Sequence, residues 1–474
     1  MVLHVFCHSI CSCFPTRYRT CLLACMCLLI QYTMRICLHL AITEMTFPPT
    51  TTAEPGEGES RMIKRPCFSL QKRTEEPADP IYNWSEKDQG VILSSFYWGY
   101  MVSNFSASAI ADRFPRLLLM WSVFGSGVLT LLTPMAIDKG GMRLLVCLRA
   151  CEGFFQGVTF PVLSALISHW VPPAQRSMLG AFVYSGSQIG SLVGGIGSGM
   201  LIHYFNSWRI VFYVWGTCAM IMFLTWWIFV FDSPHNHPYM DEGERSQLIE
   251  ELGGSGKALK PGSIPWRKIA SSAPFWAVVF GQVSLDFNFY LTTIDLPKFM
   301  KSTLGLDVRE NGIISYMPFF LMWMNTSVTG WIADKQIKSG CLSRTNTRKF
   351  WCTCASTLSS TFILAAAYSG CRKWLIVACF TLAIVSMSGY YPSVKVNAND
   401  LSPNFAGLIM AFVNGFGGFC GIIVPYMVGL LTPNQTIEEW RLVFWIGFFV
   451  ILTSTTIFNL FSSGEVQSWN TVNE

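Results

Sequence analysis

The stretch AIADRFPR at residues 109–116 returns as WIADKQIK at residues 331–338. Asp112 and Asp334 are 222 residues apart in a chain of 474. A second echo accompanies the first: SWRIVFYVWG at 207–216 and EWRLVFWIGF at 439–448 place Trp208 and Trp440 232 residues apart. Two matches at nearly one offset point to a head-to-tail duplication.

What separates the echoes is apolar. Of all residues 51% are hydrophobic and 13% charged, with a mean hydropathy of +0.40; a soluble domain carries about 25% charged residues. Twelve apolar runs of membrane-spanning length stand at 20–43, 89–111, 117–137, 143–168, 177–202, 209–231, 273–297, 311–333, 350–369, 374–396, 405–430 and 440–462. The echoes follow runs two and eight and precede runs six and twelve. The predicted fold is therefore an all-α membrane protein of twelve transmembrane helices in two six-helix pseudo-repeats. That is the parallel-repeat design of many secondary transporters, with the substrate between the halves. The predicted organisation is an N-terminal segment 1–19, a first half 20–231 with a polar loop 45–88, a polar linker 232–272, a second half 273–462 and a tail 463–474.

Basic residues in the short loops set the orientation. Arg113, Arg116, Arg176, Arg267, Lys268, Lys335, Lys338, Arg344, Arg348 and Lys349 fall on one side. Both termini share that side, which is predicted to be cytosolic. Loop 45–88 then lies opposite, as do the glycosylation sequons at Asn83 and Asn434; Asn104 and Asn325 match the pattern inside spans and are discounted. A net charge of +5 with scattered basic residues argues against a nucleic-acid partner. Most of the 17 cysteines lie in apolar runs, where cysteine acts as a small hydrophobe. No metal-ligand spacing and no nucleophile–base pair is present, so neither an enzyme nor a resident cofactor is expected. A monomer in lipid with a small-molecule substrate is.

The intramembrane charges carry the functional reading, because each costs about 2.5–3.5 kcal/mol at the bilayer centre unless it faces protein or water. In RLLVCLRACEGFFQGVTFP (143–161), Arg149, Glu152 and Gln156 share one helix face. They form either an internal ion pair that holds the bundle or a polar stripe on a central cavity, with Arg149 binding an anion through its planar fork and Glu152 setting its geometry or exchanging a proton as a coupling residue. Gln31, Arg35 and His39 share a face in the first span, where Arg35 suits an anion and His39 a response to pH. Asp286 and Asp295 fall on opposite faces of the seventh. Asp286 is the candidate for a coupling cation or proton, and Asp295 is expected at the interface. Tyr97 and Tyr290 offer hydroxyls to a substrate, and Asn397 joins them near the end of span ten. Lys395 is expected to snorkel to the surface. Asp112, Arg113, Asp334 and Lys335 in the repeated turns are candidates for pairing across helix ends and holding one state of a rocking bundle.

The set ILSSFYWGY, ADRFPR, RACEGFFQGVTFP, WVPPAQRS, YSGSQIG, VNANDLSPNFAG and GEVQSW resembles the anion–cation symporter family of the major facilitator superfamily. The resemblance runs from about Arg17 to Trp469 and is greatest to the sialin-like branch with its inorganic phosphate cotransporters. It implies transport of a small inorganic or organic anion, with Arg35 and Arg149 at the site and a sodium ion or proton as the coupling ion. Three positions depart from the family pattern. Gln156 stands where sialin-like members carry a second acid implicated in proton coupling. Leu285 stands where vesicular glutamate transporters carry an arginine, and Cys37 where an asparagine is usual. The departure at Gln156 leaves a non-transporting anion sensor on the same fold as the alternative.

Overall fold

The computed structural model describes residues 15–46, 79–107, 111, 113–172, 175–238, 240–252, 265–402 and 405–470. Long helices account for all twelve spans. Span 1 is Thr16–Met45, span 2 Glu86–Ala107, span 5 Arg176–Phe205 and span 6 Arg209–Phe229. In the second half, span 8 is Val308–Lys338, span 9 Arg344–Tyr368, span 11 Ala406–Leu431 and span 12 Ile437–Phe461. The helix Pro115–Gly157 supplies span 3 and, with Thr159–Trp170, span 4; it folds back at Gly141, where φ is 54° and ψ −144°. Glycine alone takes that backbone without strain. The fold-back brings Ser122 Oγ to 3.3 Å from Thr159 Oγ1 and lets Thr130 Oγ1 donate to Glu152 at 3.4 Å.

Besides span 4, which breaks at Val158, two spans are interrupted. Span 7 runs over Ala273–Thr293, turns at Asp295 and resumes as Leu296–Leu304. Asp295 is only 2% exposed, because the turn tucks its side chain into the protein. Span 10 runs over Lys373–Ser386, tightens to 3-10 turns at Met387–Tyr390, widens to a π turn at Tyr391–Lys395 and ends as Val396–Leu401. Span 12 starts with a capping box, Thr436 and Glu439 each bonding the other's backbone N–H.

Small residues let the spans approach. A Cβ at Gly186 or Gly190 would fall 2.3 or 2.5 Å from a span 1 carbonyl oxygen, so span 5 packs on span 1 backbone to backbone. Cys371, between spans 9 and 10, is disulfide-bonded, while the buried Cys21, Cys27, Cys37 and Cys352 pack as free thiols.

The linker docks on the first half at the face that carries both termini. Its helix Glu242–Leu252 meets the start of span 1 through Thr16 Oγ1 to Glu244 (2.9 Å) and Arg17 to Glu251 (2.6 Å). His237 anchors the linker's first turn, edge-on to Trp170 and Phe231 at 5.8 and 4.7 Å between ring centroids. Burial, then the fields of Arg19, Arg245 and Arg116, push its pKa from 6.5 down to about 4. A buried imidazole with a depressed pKa stabilises the docked linker above its unfolded value and loses that contribution as pH falls through the folded one. Hydrogen exchange of residues 234–252, corrected for intrinsic rates, is therefore expected to be faster at pH 5 than at pH 7. His237→Phe should flatten the difference, and an equal slope in that variant would remove His237 from the contact.

Candidate functional site

The predicted polar stripe is assembled inside the bundle. Arg149 Nη1 donates to Glu152 Oε2 at 2.7 Å, with the two side chains 2% and 1% exposed. Gln156 is equally buried and bridges inward: its Nε2 reaches Glu152 Oε1 and its Oε1 receives Arg35 Nη2, both at 3.4 Å. The residue read as a departure from the family pattern is thus the one that connects the two arginines. Gln31 has a different part from its predicted partners, pairing with Ser122 Oγ at 2.9 Å and Thr159 Oγ1 at 2.5 Å. It pins span 1 to spans 3 and 4.

Arg35 sits in an aromatic cage. Its guanidinium carbon lies 4.5 Å from the ring centre of Tyr32, 4.7 Å from Phe96 and 5.0 Å from Tyr100. Phe96 also faces Arg149 at 5.1 Å, so one ring serves both cations. Gly153 makes this fit: a Cβ there would fall 1.8 Å from the Phe96 carbonyl oxygen. Ring faces attract desolvated cations by about 2 kcal/mol, but they accept no in-plane hydrogen bonds. The Nε atoms of both Arg35 and Arg149 are buried without a hydrogen-bond partner. Among the described residues Arg35 has no carboxylate partner. A guanidinium has five donors in a fixed fork, and a planar or tetrahedral oxyanion is the group that satisfies them.

The second half closes over this cluster. Tyr97 and Tyr290 meet edge to face at 4.8 Å across the two halves. His39 is buried with Nδ1 unpaired and faces the backbone of Thr293. Asn288 pairs with Ser359 behind it. Asp286 receives Gln282 Nε2 at 2.7 Å.

Other predicted residues lie elsewhere. Asn397 donates to the Ser463 carbonyl at 2.8 Å, tying span 10 to the chain after span 12, and it does not join the arginine cluster. Asp334 and Lys335 are exposed, with Lys335 over Trp331 at 5.1 Å; Asp334 makes no ion pair among the described residues. Arg113 is exposed, and Asp112 lies outside the described residues. Asn83 and Asn434 are exposed at the opposite end, Asn434 donating to Glu439 at 3.0 Å.

The seal at that opposite end escaped sequence reasoning, because its partners are remote in the chain. Lys298 pairs with Glu86, and Lys301 with Glu44 at 2.7 Å and with the Thr43 carbonyl. Gln435 adds a bond to Glu86 at 2.8 Å. Each crosses from the first half to the second. Gly429 lets the halves touch there, since a Cβ would lie 2.5 Å from the Glu86 carbonyl oxygen. Nearer the termini the halves also touch, through Gln188 Nε2 donating to Tyr391 Oη at 2.7 Å and Phe105 packed against Phe412 and Phe416, while Asp286, Gln188, Tyr391 and Lys395 stay partly exposed within the bundle. Each ion pair is partly screened and stabilises by about 1 kcal/mol. Glu86→Gln with Glu44→Gln is expected to raise the loop-side-open population about tenfold, read as distances between spin labels on the outer ends of spans 1 and 7. Unchanged distances would show that the pairs do not hold this face shut.

Twelve spans in two pseudo-repeats with a charged cluster at their junction define a membrane transporter fold. The family model "Major Facilitator Superfamily" matches residues 74–425. Human sialin is 32% identical over 464 residues, covering 96% of this chain and 91% of sialin. A Drosophila melanogaster protein named "Putative inorganic phosphate cotransporter" is 31% identical, with 97% of this chain and 87% of that one covered. The chain belongs to the sialin and phosphate cotransporter family of the major facilitator superfamily. Its fold also matches the inward-facing, occupied crystal structure of a bacterial homologue of the human lysosomal transporter Spinster, at a TM-score of 0.68 and 12% identity over 94% of this chain and 97% of that one.

Proposed function

We propose that this protein is a symporter that moves a small anion, inorganic phosphate or a carboxylate such as a sialic acid, by alternating access. Arg35 and Arg149 bind the anion, Tyr97 and Tyr290 close over it, and Glu152 sets the geometry of Arg149. The observation that carries the reading is Arg35, a buried guanidinium caged by ring faces at the junction of the halves and without a carboxylate partner among the described residues. A sodium or proton gradient drives the cycle, with Asp286 as the coupling carboxylate because Gln156 does not titrate, and with His39 beside the site. The face carrying the termini is cytosolic, in keeping with its basic loops and the exposed sequons opposite. The membrane is the plasma membrane or that of a lysosome or vesicle, and the carrier is monomeric.

Gln156 also favours a second reading, a sensor that binds the anion without moving it. Binding and flux measured on one preparation separate the two. Labelled phosphate or sialate that binds without crossing reconstituted vesicles would establish the sensor, and flux of the bound anion establishes the carrier.

A further inference from the structure

Lys395 does not take the surface position its place in the chain suggests. Span 10 is irregular there, and a π turn re-aims the side chains that follow it. The turn is fixed rather than frayed. Arg348 Nη1 donates to the Pro392 carbonyl at 2.6 Å, Ser393 Oγ donates to the Arg348 carbonyl at 2.5 Å, and Asp400 holds Arg348 Nε at 2.8 Å. Lys395 Nζ is thereby turned into the bundle, where it donates to Asn414 Oδ1 of span 11 at 3.1 Å.

One helical turn further along span 11 stands Gly417. A Cβ there would fall 1.7 Å from Asp286 Oδ2, so the carboxylate of span 7 rests on the bare backbone of span 11. Residues 414 and 417 are neighbours on one helix face. The ammonium of Lys395 and the carboxylate of Asp286 therefore stand side by side over that face, within electrostatic reach. Among the described residues they make no direct ion pair. Each is held by an amide instead, Lys395 by Asn414 and Asp286 by Gln282. Both are partly exposed inside the bundle. An ammonium offers three donors, and this one makes a single hydrogen bond to protein. With both carboxylates ionised, Arg35, Arg149 and Lys395 outnumber Glu152 and Asp286 by one positive charge, which one monoanion balances.

We propose that Lys395 is an anion-binding residue supplied by the second half, and that Asp286 competes with the incoming oxyanion for it. An oxyanion entering from the termini side meets Lys395 before the sealed arginines. Asp286, fixed beside it, weakens that hold enough for the anion to pass on or leave. The inference rests on the proposed function, since it extends the same anion's route into the second half.

The test is equilibrium binding of labelled inorganic phosphate and labelled sialate to the purified full-length protein, in wild type, Lys395→Gln, Asp286→Asn and the double variant. Lys395→Gln should weaken the Kd of the bound anion at least tenfold, and Lys395→Arg should restore it to within a few-fold, which a merely structural lysine would not require. Asp286→Asn should tighten binding several-fold, and this gain should vanish when Lys395 is already Gln. Unchanged binding in Lys395→Gln, or an equal gain from Asp286→Asn with and without Lys395, overturns this inference alone. A wild-type protein that binds neither probe overturns it together with the proposed function.

Discussion

Replacing Arg35 by Ala is expected to cut anion uptake at least about a hundredfold at wild-type abundance in the membrane. A guanidinium that meets an oxyanion through two charge-assisted hydrogen bonds loses about 3 kcal/mol or more when truncated, and every 1.4 kcal/mol is a factor of ten. Arg149→Ala should reach a similar loss, but Arg35 is the cleaner variant. Arg149 neutralises Glu152, so removing it strands a buried carboxylate; removing Arg35 leaves only ring faces and the Gln156 Oε1 acceptor of one 3.4 Å bond. Arg35→Lys keeps the charge but not the fork, and should fall between wild type and Arg35→Ala. The measurement is initial uptake of labelled anion against amount of folded carrier. Robust uptake by Arg35→Ala would remove the arginine from the site.

Glu152→Leu should be the most damaging change to the fold itself. Arg149 and Glu152 are both essentially sealed, and removing one member of a buried pair costs about 3–5 kcal/mol because the other charge is left uncompensated. Detergent-solubilised Glu152→Leu is expected to unfold at a clearly lower temperature than wild type. The double variant Arg149→Leu with Glu152→Leu should regain much of that stability, since no charge is stranded, while remaining inactive in uptake. A double variant no more stable than Glu152→Leu would mean that the loss came from packing and not from the stranded charge.

The part of this architecture that could be read from the chain was periodic. Runs of apolar residues and two echoes at half length are enough for twelve spans and their duplication, and the i, i+3, i+7 spacing alone puts Arg149, Glu152 and Gln156 on one face. The errors came where helical regularity stops. Lys395, near the end of span 10, reads as a residue that snorkels to the surface; the 3-10 and π turns after Ser386 rotate it inward, and Gly389 and Pro392 are the local signs of that irregularity. The aromatic cage of Arg35 had a partial signal in Tyr32 at i−3, but Phe96 and Tyr100 come from span 2 and are set by packing. Ion pairs such as Glu44 with Lys301 join residues 257 positions apart, a distance over which a single sequence carries no pairing information.

The central claim, an anion carried past two arginines, is tested most directly by uptake into vesicles holding the purified wild-type protein, across phosphate, sialate, glutamate and ATP, with sodium and proton gradients imposed one at a time. The account predicts that at least one of these anions accumulates above its equilibrium level under one gradient and that dissipating the gradient abolishes the accumulation. Absence of gradient-driven accumulation for all four, from protein shown to be folded and inserted, would contradict it.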